Sequence, residues 1–287
     1  MLTHAHAEPK SPSRVVVIGA GFVGNSIARA VERRGVPVLA LKRADLDLLA
    51  DNAAESLAKR LRADDSVVFV SAQAPARNAA QLIQNLKMAE VVAKTLAAQS
   101  VAHLVYISSD AVYADDANPV TERSSVQPAS MHGMMHAARE LMLRTEAKVP
   151  LAILRPSLLY GAADPHNGYG PNRFRRLAAK GETITLFGEG EEMRDHVLID
   201  DVAEIAAATL AHRSTGVLNI ATGVSTSFRR IAEMIVARAG RPVEIKGTPR
   251  QNPITHRHFD IADTLKAFPA FHFTPLAKGL ELAETGA

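Results

Sequence analysis

Three glycines carry the clearest chemical signal. Gly19, Gly21 and Gly24, in the run Gly-Ala-Gly-Phe-Val-Gly, follow a short apolar stretch and open a helical pattern. The first glycine lets the chain turn sharply, the second lets backbone approach a pyrophosphate, and the third lets helix and strand pack closely. The free N–H groups at the helix start then face the phosphates. This is a dinucleotide site in outline; the plain alternative is a tight structural turn. Further on, the run Leu41-Lys42-Arg43 stands where an acid would hold the ribose hydroxyls of NAD. Two cations there suit the 2′-phosphate of NADP, unless Lys42 and Arg43 are simply solvated. Asp47 is placed either to meet the adenine edge or to cap a nearby helix. His132 and His136 form a second constellation. Residues four apart share a helix face, with Cβ atoms about 5–6 Å apart, and imidazole titrates near neutrality. The same spacing suits zinc, but no third ligand is placed by local spacing. A pair of solvated surface histidines is the bland reading.

The elements that must position these groups alternate. Residues 14–19, 36–41, 66–70, 103–108 and 151–154 read as buried strands, rich in β-branched side chains. Between them, residues 25–34, 51–61, 78–99 and 130–147 read as helices. Strands apolar throughout, alternating with helices, predict a doubly wound α/β fold: a parallel sheet covered on both faces, with ligands at the carboxyl ends of its strands. After Tyr160-Gly161 the texture changes. Residues 162–171 read as a loop, followed by helices over 173–179, 202–212 and 227–239 and strands over 183–187 and 217–220. The expected organisation is a disordered tail over 1–12, a Rossmann lobe binding NAD(P) over 13–163, and a smaller substrate lobe over 164–287. Residues 196–222 of that lobe are expected to return to the core sheet.

Composition narrows the function classes. The chain has 287 residues, 47% hydrophobic and 22% charged, enough apolar material for a sizeable core. Cysteine is absent, which excludes disulfide scaffolds, thiolate zinc sites and cysteine nucleophiles, and fits a reducing cytoplasm. The first dozen residues hold no apolar segment of a secretory signal, and no apolar run is long enough to cross a bilayer. A net charge of +3 without a clustered basic stripe welcomes an anionic small molecule and argues against nucleic acid as partner.

The motifs together resemble the extended short-chain dehydrogenase/reductase family of nucleotide-sugar epimerases, dehydratases and reductases, from about residue 15 to 280. The glycine loop is close to the family's GAGFIG, although the first glycine of its GxxGxxG form falls at Ile18. Asn85 in NLKMAEVV resembles the Asn of NxxGTxNL, and Ile107-Ser108-Ser109-Asp110-Ala111-Val112-Tyr113 resembles the strand that delivers the catalytic Ser or Thr. Residues 154–161 (LRPSLLYG) resemble LRxxNVYG beside the nicotinamide. Residues 194–203 (RDHVLIDDVA), with Gly188-Glu189-Gly190 before them, resemble the family's GxGxxxRDFVYVDDVA, the most specific of these matches. The segment LKRADLDL is most similar to that of dTDP-4-dehydrorhamnose reductases. The resemblance implies a cofactor site that also takes in Phe22, Val23, Ser71, Ala72, Gln73, Asn85, Ser108, His136 and Pro156. It implies a substrate side with Asp110, Ser157, Asn172 and Arg194, the last meeting a nucleotide pyrophosphate through its planar fork. Arg173 and Arg250 are weaker candidates for the same cleft, under a loop carrying His166 and Tyr169. A homodimer through the helices over 78–99 and 130–147 is the family expectation.

One departure is chemical. The family's Tyr-x-x-x-Lys is missing, and its pattern YGxSKxxxE overlays residues 132–140 with Gly133 and Glu140 in register. His132 thus falls on the tyrosine and His136 on the lysine. Tyrosine, with a reference pKa near 10, needs a cation to act as a base, whereas histidine, at about 6.5, does not. His132 is therefore the expected acid/base, Ser109 its partner on the substrate oxygen, and His136 a donor to the ribose or a charge that keeps His132 neutral. Asp110 either orients a histidine ring or caps a turn. The expected function is an NAD(P)-dependent oxidoreductase or epimerase acting on a nucleotide-activated sugar or similar polar carbonyl compound, leaning to NADP. Its alternative is a catalytically degenerate NADP(H)-binding or sensing protein. No metal is expected.

Overall fold

The computed structural model describes residues 1–116 and 118–285. The elements run β1 (Leu2–Thr3), β2 (Arg14–Ile18), α1 (Phe22–Glu32), β3 (Val38–Leu41), α2 (Ala53–Ala58), β4 (Asp65–Phe69), α3 (Ala79–Ala98) and β5 (His103–Ile107). A single 3₁₀ turn at Asp110–Val112 precedes α4 (Met131–Glu146), β6 (Leu151–Pro156) and β7 (Leu158–Tyr160). Then come α5 (Pro171–Lys180), β8 (Ile184–Phe187), β9 (Met193–Leu198), α6 (Ile199–Ala211), β10 (Thr215–Ile220), β11 (Ser225–Ser227), α7 (Phe228–Arg238), β12 (Ile245–Thr248), α8 (Ala262–Ala267) and α9 (Leu276–Thr285).

The main sheet has the order β1-β10-β6-β5-β4-β2-β3, and all of its pairings are parallel except that of β1. Alternation along each strand sends its apolar side chains to two layers. On β2, Val15 and Val17 join α1 and α6 in one core, while Val16 and Ile18 join α3 and α4 in the other. Each fully buried Val or Ile of this kind contributes roughly 1.5–3 kcal/mol. The smaller lobe has its own apolar cluster of Phe174, Ile184, Leu186, Phe228, Ile231 and Leu280, drawn from α5, α7, α9 and β8. Chain membership of the two lobes is interleaved, since β10 lies in the main sheet beside β6. No helix among the described residues is long and apolar enough to cross a membrane.

The expected disordered tail is corrected at its start. Leu2 and Thr3 pair antiparallel with Gly216 and Thr215, closing one edge of the main sheet. His4 stacks on His212 with ring centroids 4.4 Å apart, and its Nδ1 lies 2.7 Å from the Ser214 hydroxyl. An exposed strand edge finds its partner in the nearest free extended chain, which here is the N-terminal segment. Composition alone does not register that docking.

Candidate active site

The site forms at the carboxyl ends of β2–β6. β2 ends at Ile18, and Gly19 turns the chain at a φ of 104°, a conformation open to glycine but not to L side chains. A Cβ at Gly24 would strike the Gly19 carbonyl, so α1 packs on the turn only because that side chain is absent. At Gly21 a Cβ would meet nothing: it would stand in open space at the start of α1, where no side chain caps the helix. Uncapped N–H groups facing open space fit the phosphates of a dinucleotide.

That space is a cavity of about 770 Å³, within the usual range for small-molecule sites. It is lined on one side by Gly19, Gly21, Phe22, Val23, Lys42, Arg43, Asp47, Ser71, Ala72 and Gln73. On the other side stand Ser108, Ser109, Asp110, His132, His136, Pro156, Ser157 and Asn172, with Asp164 and His166 from the loop after β7. Asn85 is not in the wall. It is fully buried, accepts a hydrogen bond from the Gln73 N–H at 2.9 Å and donates to the Gln73 carbonyl at 3.1 Å, so it fixes the loop after β4 instead of meeting a ligand.

Several side chains are committed elsewhere. Ser108 lines the cavity, but its hydroxyl donates to the buried Glu140 at 2.6 Å. Glu140 lies in a buried ion pair with Arg155 at 2.5 Å, and Arg155 also donates to the Tyr113 hydroxyl. Breaking such a buried pair from one side costs about 3–5 kcal/mol, so this network braces β5, α4 and β6 behind the cavity. Ser157 donates to Asp195 at 2.9 Å, and Asn172 clamps the Gly161 N–H and the Leu159 carbonyl. Arg194 lies outside the cavity wall: it pairs with Glu192 at 2.5 Å and donates to Thr255. Arg250 pairs with Glu191 and Glu192, and Tyr169 packs among Phe174, Phe187 and Phe228. Asp110 meets Arg257 at 3.3 Å and not a histidine; burial holds its carboxyl above the usual range. Asp47 caps no helix, since Asn52 stands at the N-cap of α2; it closes a turn by accepting from the Leu49 N–H at 3.0 Å, and that bond with the neighbouring Arg43 lowers its pKa.

α4 brings the imidazoles in. Ser130 caps it by accepting from the Gly133 N–H at 3.1 Å. A Cβ at Gly133 would strike the Ala111 carbonyl, so the helix start lies tight against the 3₁₀ turn whose N-cap is Ser109. The Ser109 hydroxyl accepts from the Ala111 N–H at 3.1 Å. His132 and His136 meet edge to face with centroids 4.7 Å apart. Burial lowers the pKa of His132, and His166 adds to the effect. Burial, with His132 and Arg139 nearby, holds His136 well below its usual value. Both rings are therefore neutral at pH 7. The His132 Nδ1 is buried with no protein partner among the described residues, which leaves Nε2 for a ligand. No third metal-binding side chain gathers there among the described residues.

Two neighbours escape sequence reading. The Tyr106 hydroxyl lies 2.7 Å from His136 Nδ1, and Arg139, fully buried, stacks its guanidinium 4.3 Å over the Phe69 ring and donates to the Ser71 carbonyl. Tyr106 sits in an apolar strand pattern, and Arg139 in a helix where a charge ordinarily marks the solvated face. Only Arg139, three residues past His136 on the same helix, has a spacing that hints at the cluster.

Comparison with known proteins agrees with this architecture. A dTDP-L-rhamnose 4-epimerase of Burkholderia thailandensis is 33% identical over 153 residues, 50% of this chain and 42% of that protein. The match thus spans less than half the length of that curated relative. An epimerase structure from Methanothermobacter thermautotrophicus superposes with a TM-score of 0.83 at 17% identity, covering 96% of this chain and 92% of that one. A Thermus thermophilus UDP-glucose 4-epimerase in complex with NAD gives 0.80 at 22% identity, covering 95% and 98%. At such identities the superpositions speak for the fold alone. The family profile described as the NAD dependent epimerase/dehydratase family matches residues 15–221, across the glycine loop, the parallel strands of the main sheet and both histidines of α4, and the chain belongs to that family.

Proposed function

We propose that the protein is an NAD(P)-dependent oxidoreductase or epimerase acting on a nucleotide-activated sugar. The observation that carries this reading is a single cavity lined by the glycine loop, by Lys42 and Arg43, and by Ser109 with the two imidazoles. The curated relative named for a dTDP-sugar and the neighbour holding NAD support the substrate and cofactor classes. Lys42 and Arg43, with no acid at the end of β3, favour NADP(H). A bound nicotinamide supplies the hydride acceptor and donor. His132 does the proton work: neutral at pH 7, its Nε2 takes the proton of the sugar hydroxyl as the carbinol carbon is oxidised, and returns it on reduction. Ser109 donates to the substrate oxygen, and His136 donates to the ribose. The exposed side chains of Ile83 on α3 and of Met134 and Leu141 on α4 support a homodimer through these helices.

The test is incubation with NADP⁺ or NAD⁺ and a panel of dTDP- and UDP-hexoses. Nicotinamide absorbance reports net oxidation, and NMR of the sugar reports inversion. The expected result is turnover of at least one sugar nucleotide. The replacement of the family's tyrosine and lysine favours a second reading, a cofactor-binding sensor. Tight cofactor binding with no turnover across the panel would select that reading and contradict the first.

A further inference from the structure

We propose that Tyr106 is a positioning residue that sets the tautomer of His136, keeping the ring proton on Nε2 and presenting that N–H to the cavity. The inference rests on the reading of His136 as a cofactor-facing donor and goes beyond it in naming what makes the ring a donor.

A neutral imidazole offers one donor and one acceptor, and the hydrogen bond at one nitrogen decides which nitrogen is which. The bond at Nδ1 is with Tyr106, at 2.7 Å, in a fully buried setting. Two arrangements satisfy that distance. If Nδ1–H donated to the phenol oxygen, the phenol hydrogen would be left without an acceptor: the hydroxyl's other neighbour, Arg139, is a donor only. Orphaning a buried O–H costs about 1–3 kcal/mol. If the phenol donates to Nδ1, both groups are satisfied and the ring proton must sit on Nε2. Burial pushes the Tyr106 phenol up to about 12, so it keeps its proton throughout the working range. His136 is held neutral by its own burial and by the charge of Arg139, one helical turn along α4.

The arrangement accounts for an otherwise costly feature. Arg139 is fully buried and its guanidinium has no carboxylate partner among the described residues; it rests on Phe69 and Tyr106 and on the Ser71 carbonyl. A buried cation opposes a second charge beside it. The fixed positive charge thus stands behind the histidine pair, and His136 serves as a neutral N–H donor in place of an ammonium.

The experiment is long-range ¹H–¹⁵N correlation spectroscopy of the imidazoles in the full chain, without cofactor, with His136→Gln used to assign the His136 signals. Calorimetric titration with NADP⁺ accompanies it. In the wild type, Nδ1 is expected bare and Nε2 protonated. In Tyr106→Phe, which keeps the ring and removes only the donor, a population protonated at Nδ1 is expected, with NADP⁺ affinity weakened about tenfold, or ~1.4 kcal/mol. A His136 protonated at Nδ1 in the wild type, or an unchanged tautomer and affinity in Tyr106→Phe, would overturn the proposal. Should the variant fail to fold, the wild-type spectrum alone decides. None of these readouts needs turnover, so a protein that proves to be no enzyme leaves the tautomer result standing.

Discussion

A phenol and an imidazole reach the same task by different routes. A phenol base must be ionised by a nearby cation, which an adjacent lysine provides; a neutral imidazole is a base already and is hindered by such a cation. Replacing both residues of the pair together is therefore chemically coherent: with His132 as base, an ammonium one turn away would only lower its basicity further. The exchange was legible in the sequence because Gly133 and Glu140 fix the register of α4, and their structural roles explain why those two positions hold. Gly133 permits the contact with Ala111, and Glu140 anchors Arg155 and Ser108. The Tyr106–His136 contact was not legible, since it joins residues 30 apart through packing alone. At the other end of the cavity, Arg43 shares its charge with Asp47 at 3.3 Å, an exposed i,i+4 pair of little intrinsic strength. Charge is thus available to a 2′-phosphate. Lys42→Ala/Arg43→Ala is expected to weaken NADP⁺ binding about tenfold, in line with a loss of ~1.4 kcal/mol, and to leave NAD⁺ within about twofold. Equal losses for both cofactors, measured by calorimetry, would contradict the NADP preference.

Among elements, α4 is the one on which the site depends. Its first turn is pinned by the Ser130 cap and by the near approach of Gly133 to the 3₁₀ turn, which together set His132 on the cavity wall beside Ser109. Gly133→Ala gains about 1 kcal/mol of helix propensity, but its Cβ overlaps the Ala111 carbonyl, and backbone cannot yield as a flexible side chain does. A net destabilisation of about 1–3 kcal/mol is expected, with turnover falling further than stability because α4 must shift to relieve the overlap. Denaturant unfolding beside steady-state kinetics checks this; a variant as stable and as active as the parent would contradict the close packing. The main strands and helices were readable from apolar runs and glycine turns, with ends displaced by only a few residues. What local pattern could not supply was β1, whose Leu2 and Thr3 gain their conformation entirely from Thr215 and Gly216 across the sheet. Arg194 is a related case. Its motif pointed to a nucleotide pyrophosphate, but its guanidinium is bound by Thr255, in a segment with no periodicity that sequence could pair with it.

At the scale of the molecule, buried neutral histidines link folding to pH. Burial lowers His103 to about 4 and His196 to about 3, and lowers His136 and His132 as well. Each is a base whose folded pKa lies below its unfolded value near 6.5, so the unfolded chain binds more protons between the two values. Stability is complete above about pH 6.5 and declines as the pH falls below it, by about 1.4 kcal/mol per unit for each group. Asp110, Asp195 and Asp201, raised by burial, act in the opposite sense and reduce the slope in acid. The expected outcome is a loss of about 2–4 kcal/mol between pH 7.5 and 5.5, read from urea midpoints. A midpoint that is flat or rises toward acid would contradict the burial of these rings as neutral groups.

The account turns on proton transfer by His132, and His132→Ala tests it most directly. Rapid mixing of the cofactor-loaded variant with a sugar nucleotide turned over by the parent isolates the step in which the carbinol is oxidised. Loss of an acid/base group predicts a decrease of about 10²–10⁴-fold in that rate, with cofactor affinity within about threefold of the parent because the glycine loop is untouched. A variant that oxidises the sugar at the parental rate would show that the proton leaves by another route.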